Sequence, residues 1–179
     1  MSSIGTVYGQ ALYDLAKDEG LDALILEQLC ALDEGFSAEP DYIRLLCSAN
    51  LSKDERVAVL DEGFRGKVDG NLLNFMKLLA EKGYMRHFSA CRKAYQSLYN
   101  TDHGILEVKA VTAVALTQEQ AGRLAEKLSA ITGKTVQLYN RVDPETLGGV
   151  RLDYDGKRVD GTVQHRLDSI GKLLANTVL

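Results

Sequence analysis

The sequence predicts an α+β protein: an N-terminal six-helix bundle over residues 1–103, followed by a small C-terminal α+β domain over residues 104–179. Three observations carry this. Apolar residues recur at helical spacing through the first hundred positions. After His103-Gly104 the spacing drops to two, with Leu106, Val108 and Ala110 on one side and Glu107 and Lys109 on the other. Then come three turn signals in close succession: Asp143-Pro144, Gly148-Gly149 and Asp155-Gly156.

The first helix carries Ile4, Val7, Tyr8, Ala11, Leu12, Leu15 and Ala16, and Gly20 ends it. Leu21, Ile25, Leu29, Leu32 and Phe36 mark the second. Pro40 suits the first turn of a short third helix with Ile43, Leu46 and Cys47. Ser52-Lys53-Asp54-Glu55 is a capping box that opens a fourth helix with Val57, Leu60 and Phe64. Asp69 or Asn71 precedes a fifth helix rich in apolar residues, Leu72 to Leu79. Met85, Phe88, Cys91, Tyr95 and Leu98 set a sixth, ending near Asn100. Further on, Thr117-Gln118-Glu119-Gln120 is a second capping box; its helix holds Ala121, Leu124, Ala125, Leu128 and Ile131 and stops at Gly133. Val136, Leu138 and Val142 alternate as a strand. Asp155-Gly156 joins Val150–Tyr154 to Lys157–Val159 as a two-residue hairpin. Asp160-Gly161-Thr162 leaves the sheet, with Thr162 placed to cap a last helix carrying Val163, Leu167, Ile170 and Leu174.

Composition narrows the function. Residues 1–103 hold 11 basic and 16 acidic side chains, a net of −5; residues 104–179 hold 10 and 9, a net of +1. Neither half has the basic run that grips phosphate backbones, which disfavours nucleic-acid binding. No apolar run approaches the roughly 20 residues that cross a bilayer. The start, Met1-Ser2-Ser3-Ile4, reads as having no secretory signal. Cys30, Cys47 and Cys91 have no disulfide or zinc-ligand spacing and read as small core residues.

Catalytic chemistry finds no foothold. Asp153, Asp155 and Asp160 lack the remaining oxygen ligands of a calcium loop. Gly148-Gly149 is followed by a strand and no Lys-Ser/Thr, so it is no phosphate loop. His87, His103 and His165 stand apart, and no nucleophile elbow is present. The expectation is a non-enzyme with no metal and no cofactor.

The C-terminal residues Val142-Asp143-Pro144, Gly148-Gly149, Asp160-Gly161-Thr162-Val163 and Arg166-Leu167 resemble, in order and spacing, the signature of the delta subunit of F-type ATP synthases. That family includes the mitochondrial oligomycin-sensitivity-conferring protein. Thr162 stands where the family usually has serine, another N-cap residue. Tyr8-Gly9-Gln10-Ala11-Leu12 is similar to the family's first helix, with Gly9 in place of an alanine, a change worth roughly 1 kcal/mol of local helix stability. Asn74-Phe75-Met76-Lys77-Leu78-Leu79 is similar to its fifth.

The resemblance implies a connector in the peripheral stalk, on the cytoplasmic face of the cell membrane. Residues 1–103 would bind the N-terminal helices of the head's alpha subunits, and residues 104–179 the C-terminal region of the b subunits. It also implies a head-binding groove between the first and fifth helices, flanked by Tyr8, Ala11, Leu12, Leu15, Phe75, Met76 and Leu79. Tyr8 and Phe75 would be its anchors, and small Ala11 would admit the partner backbone. Asp143, Pro144, Gly148, Gly149, Asp160, Gly161 and Thr162 form the structural signature. The rival readings are a helical RNA- or DNA-binding module with an α+β appendage, a small metal-dependent hydrolase, and an unrelated adaptor.

Overall fold

Short polar caps mark where three helices of the N-terminal half begin. The computed structural model describes residues 3–48 and 51–163. Helix α1 (Ile4–Asp18) starts where the Ser3 hydroxyl accepts from the Thr6 amide at 3.2 Å. Helices α2 (Asp22–Ala38) and α3 (Pro40–Leu46) follow, with Pro40 in the first turn of α3, where its missing N–H costs nothing. Helix α4 (Lys53–Phe64) opens on a complete capping box: Glu55 N–H donates to the Ser52 hydroxyl at 3.2 Å, and Ser52 N–H to the Glu55 carboxylate at 2.8 Å. Hydrogen bonds from Ser52 hold the Glu55 carboxyl below its usual range, its backbone N–H contributing most and its hydroxyl next. Of the two candidates ahead of α5 (Gly70–Glu81), Asp69 is the cap, accepting from Asn71 N–H at 2.8 Å. Asp69 N–H in turn donates to Gln28 of α2 at 2.8 Å.

The sixth helix departs from its expected start. After Gly83 (φ 72°), Met85–His87 wind as a 3-10 turn, and α6 runs Phe88–Asp102. The chain divides into units Met1–Tyr99 and Asn100–Leu179. In the first, Ile25, Leu29, Leu46, Leu60, Leu72, Met76, Leu79, Phe88 and Tyr95 are fully buried or nearly so. Each such side chain contributes on the order of 2 kcal/mol by leaving water. Tyr95 keeps its polar end satisfied by donating to the Asp22 carbonyl at 2.9 Å, and its ring meets Tyr13 edge-on at 5.2 Å. Of the cysteines, all free thiols, only Cys91 belongs fully to this core; Cys30 and Cys47 are half-buried. Burial pushes the Cys91 thiol up to about 11.

Gly9 has a reason that periodicity does not reveal. A Cβ there would lie 2.5 Å from the Cys91 carbonyl oxygen and 2.8 Å from the Ala94 Cβ. One turn earlier, a Cβ at Gly5 would lie 2.6 Å from the Ala90 Cβ. Two glycines four apart let α1 and α6 approach backbone to backbone, and alanine at either site has no room.

The second unit is a four-stranded sheet in the order β2-β1-β3-β4. Strand β1 (Ile105–Thr112) pairs in parallel with β2 (Thr135–Val142), and helix α7 (Gln118–Thr132) makes the crossover. The α7 capping box of Thr117 and Gln120 is complete, and Gly133 ends the helix at φ 68°. Strand β3 (Val150–Tyr154) lies antiparallel to β1 and to β4 (Lys157–Asp160). Tyr154 pairs with Lys157, so the turn is Asp155-Gly156, with φ 46° and 70°. Positive φ at both positions is the type I′ geometry that matches strand twist. Leu106, Val108 and Ala110 are buried as the alternation predicts. Asn140 of β2 was not legible as structural. Its amide nitrogen donates to the Ala110 carbonyl (3.0 Å) and the Thr112 hydroxyl (2.9 Å), and its oxygen accepts from Leu116 N–H at 2.9 Å. The last predicted helix, with Leu167, Ile170 and Leu174, lies outside the described residues beyond Val163.

Candidate protein-docking site

Two contacts fix how α1 and α5 lie together. The Tyr8 ring meets Tyr84, just past the end of α5, edge-on at 5.9 Å. At the other end, the Asn71 amide donates to the Glu19 carboxylate. The start of α1 therefore sits by the end of α5, and the end of α1 by the start of α5. The helices are antiparallel neighbours.

Burial then separates the faces. On α1, Gly5, Gly9, Leu12, Tyr13 and Ala16 face the core. Tyr8 and Glu19 point along the α5 side, and Ala11 and Leu15 come next on the side towards solvent. Ala11 is exposed, Leu15 is 43% exposed and Val7 is 52% exposed. On α5, Leu72, Leu73, Phe75, Met76, Leu79 and Ala80 are buried, while Asn74 and Leu78 (41% exposed) look outwards. Ala11 and Leu15 of α1 and Leu78 of α5 are thus left in water beside the α1–α5 seam, with Val7 exposed further round α1.

The seven residues of the expected groove divide accordingly. Ala11 and Leu15 lie on its surface, and Tyr8 is half-buried at its edge, packed on the core. Leu12, Met76 and Leu79 are core residues beneath it. Phe75 is 8% exposed, so it is no free anchor. The reason is that α5 is apolar around most of its circumference, and periodicity cannot tell its inner from its outer stripe. Val7 and Leu78 are exposed instead. Their signal is an apolar residue on the polar side of an amphipathic helix.

On the α4 side of α5 the polar groups serve structure. Asp61 of α4 pairs with Lys77 of α5 and with Arg65, and the hydrogen bond from Lys77 is the main cause of its lowered pKa. Arg56 donates to the Ser48 carbonyl at 2.6 Å and the Ala80 carbonyl at 3.5 Å, satisfying helix-end carbonyls.

The signature residues of the second unit come together as a backbone clasp. Gly161 N–H donates to the Val150 carbonyl at 3.0 Å, and Val163 N–H to the Gly148 carbonyl at 3.1 Å. At Gly149, φ is 82° and a Cβ would lie 2.5 Å from the Gly161 carbonyl oxygen. The Asp160 carboxylate accepts from Thr162 N–H (3.0 Å) and its hydroxyl (2.6 Å), and Thr162 is buried. Asp143 accepts from Glu145 N–H at 3.2 Å, which shapes the turn at Pro144.

Little here could do chemistry. A pocket of about 120 Å³ lies among Asp33, Phe36, Ile43, Met85 and Ser89. Its carboxylate, Asp33, is already paired with Arg92 at 2.8 Å. Among the described residues, no group of three or more His, Cys, Asp or Glu could hold a metal ion, and no helix is long and apolar enough to cross a membrane. An exposed apolar seam on a helical unit, with a small clasped sheet as the second unit, has the character of a protein-docking module and not of a reaction centre.

Residues 4–174 match the ATP synthase delta (OSCP) subunit family, and the chain belongs to that family. It is 32% identical over 171 residues to ATP synthase subunit delta of Lactobacillus delbrueckii subsp. bulgaricus, covering 93% of each chain. To the subunit delta of Alkaliphilus oremlandii it is 29% identical over 172 residues, covering 96% of each. Its fold is similar to a chain in the cryo-EM structure of the Toxoplasma gondii mitochondrial ATP synthase hexamer. There the TM-score is 0.79 at 16% identity, with 97% of this chain and 98% of that one covered. As a member of the family, the chain is a structural subunit of the ATP synthase peripheral stalk and not an enzyme.

Proposed function

We propose that the first unit, packed as a six-helix bundle, receives the N-terminal helix of an alpha subunit in the α1–α5 seam. The second unit then grips the C-terminal region of a b subunit. The chain so placed sits peripherally on the cytoplasmic face of the membrane and resists the torque of the rotor, so proton flow makes ATP. The single observation carrying the head-binding half is that Ala11, Leu15 and Leu78 are exposed to water along two antiparallel helices. That is the surface an amphipathic helix covers in helix-in-groove recognition. Ala11 offers little bulk there, and Leu15 and Leu78 offer apolar area on both sides.

Calorimetric titration of the full chain with a synthetic peptide of the N-terminal helix of the same organism's alpha subunit tests it. One-to-one binding with a negative heat-capacity change is expected, together with its loss in Leu15→Asp and Leu78→Asp. Equal binding by both variants would refute the seam as the site.

A further inference from the structure

We infer that the outer edge of β2 is where the second unit takes hold of its partner, and that the partner segment lies there in extended form, as a fifth strand. The inference rests on the second unit being a grip for a stalk subunit, and adds the place and the form of that grip.

The two outer strands of the sheet, β2 and β4, are built differently. An outer strand leaves a row of backbone N–H and C=O groups open to another chain, and proteins blunt such rows with short length, charge, proline or bulges. Strand β4 is blunted: it has four residues, and Lys157, Arg158 and Asp160 are among them. Strand β2 is not. It runs eight residues in unbroken register with β1, holds no proline, and carries Arg141 as its sole charge. Its Thr135, Val136, Tyr139 and Val142 are residue types that favour strands.

Hydrogen bonds to β1 fix which groups are open. Thr135 N–H donates to the Gly104 carbonyl at 2.9 Å and Asp143 N–H to the Thr112 carbonyl at 2.8 Å, both on the β1 side. Alternate residues turn their backbone groups to opposite sides, so those of Val136, Leu138, Asn140 and Val142 face outwards. The Val136 N–H is taken by the Ser129 hydroxyl of α7 at 3.3 Å. Among the described residues, the N–H groups of Leu138, Asn140 and Val142 meet no acceptor. Asn140, Arg141 and Val142 are exposed.

The side chains along this edge set the chemistry of the added strand. Leu138 and Val142 share one face with Asn140, which accepts from Leu116 just ahead of α7; they call for apolar neighbours. Gln137, Tyr139 and Arg141 share the other face, where Lys109 pairs with Tyr139 in register. Lys109 and Arg141 are exposed, and Arg141 has no carboxylate partner among the described residues. The fitting strand is therefore apolar on one side and carries Asp or Glu on the other, since opposite charges attract across strands. A second copy of this chain fits poorly. Helix α7 is tied to β2 ahead of its start, through Leu116 and Asn140, and near its end, through Ser129 and Val136. A copy joined edge to edge brings its own α7 over its own β2, about 4.8 Å away, whereas packed helices stand about 8–10 Å apart.

The test is hydrogen–deuterium exchange at single-amide resolution on the full chain, alone and within the assembled ATP synthase. Leu138, Asn140 and Val142 are expected to exchange about tenfold more slowly, or slower still, on assembly, while Gln137, Tyr139 and Arg141, already bonded to β1, change much less. Val142→Pro removes one outward N–H and leaves the bonds to β1, a change that an edge strand tolerates. It is expected to reduce the gained protection of Leu138 and Asn140 roughly two- to tenfold. Protection elsewhere in the second unit, with the outward amides of β2 unchanged or with no alternation, would overturn the inference and leave the grip standing. No protection anywhere in the second unit would overturn both. Protection of the outward amides that rises with concentration in the free chain would give the edge to a second copy and overturn the inference.

Discussion

Gly9→Ala is expected to destabilise this protein, although the same change in an isolated helix stabilises it. Alanine is better than glycine by about 1 kcal/mol in a helix interior. Against this stands the geometry of the α1–α6 crossing. The new methyl would sit 2.5 Å from the Cys91 carbonyl oxygen and 2.8 Å from the Ala94 Cβ. Neither neighbour can swing aside, since one is backbone and the other is fixed to it. The helices must part, and overpacking of this kind costs about 1–3 kcal/mol, here at the upper end. The net expectation is a loss of about 1–2 kcal/mol, or a melting temperature lower by about 2–8 °C for a chain of this size.

Gly35→Ala supplies the contrast. It lies on the exposed side of α2 with nothing within 4 Å of the would-be Cβ, so it should gain up to about 1 kcal/mol. Urea titrations followed by far-ultraviolet circular dichroism would place both variants on one scale. If Gly9→Ala moves the midpoint upwards by as much as Gly35→Ala, the close crossing is absent and Gly9 is merely a weak spot in α1.

Other consequences can be checked the same way. Phe75→Asp should unfold the helical unit by burying a charge at a position only 8% exposed, a cost of several kcal/mol. Leu15→Asp, at an exposed position, should change stability by no more than about 0.5 kcal/mol. Circular dichroism of the two at equal concentration separates them. Gly149→Ala, which must hold φ 82° against the Gly161 carbonyl, should cost at least about 1–3 kcal/mol, read as lost amide protection in β3 and β4. Asp153 accepts from Arg158 at 2.7 Å, which with burial opposing and further cations helping lowers its pKa. A depressed carboxylate adds stability above its unfolded pKa of about 3.9, and that share is lost as pH falls through the folded value. Asp153→Asn should therefore lower stability at neutral pH and make the acid limb of the pH–stability curve shallower below about pH 4.

Elements with local chemical signals were legible from sequence. The two capping boxes, Gly133 and the Asp155-Gly156 turn act through residues within four positions of each other, so reading along the chain finds them. What was not legible depends on partners distant in sequence. Gly9 reads as a defect until α6 is placed against it. Asn140 reads as an ordinary polar strand residue until β1 supplies Ala110 and Thr112. Met76 and Leu79 read as seam residues because an all-round apolar helix has no visible outer face, and only packing assigns Leu78 to water and its neighbours to the core. The family signature was readable, whereas the partner its glycines admit, the backbone of residues 161–163 beside residues 148–150, was not.

The disjoint stripes of α1 bear on how such a subunit can change over time. Its inward residues answer to α6 and the interior; its outward residues, Val7, Ala11 and Leu15, are exposed. Drift in the outward set alters the fit to a partner helix with little penalty in fold. Compensating drift in that partner can follow one substitution at a time. Lineages could in this way accumulate mutually incompatible seams while keeping interchangeable interiors, and a subunit transplanted between them would fold well and hold poorly.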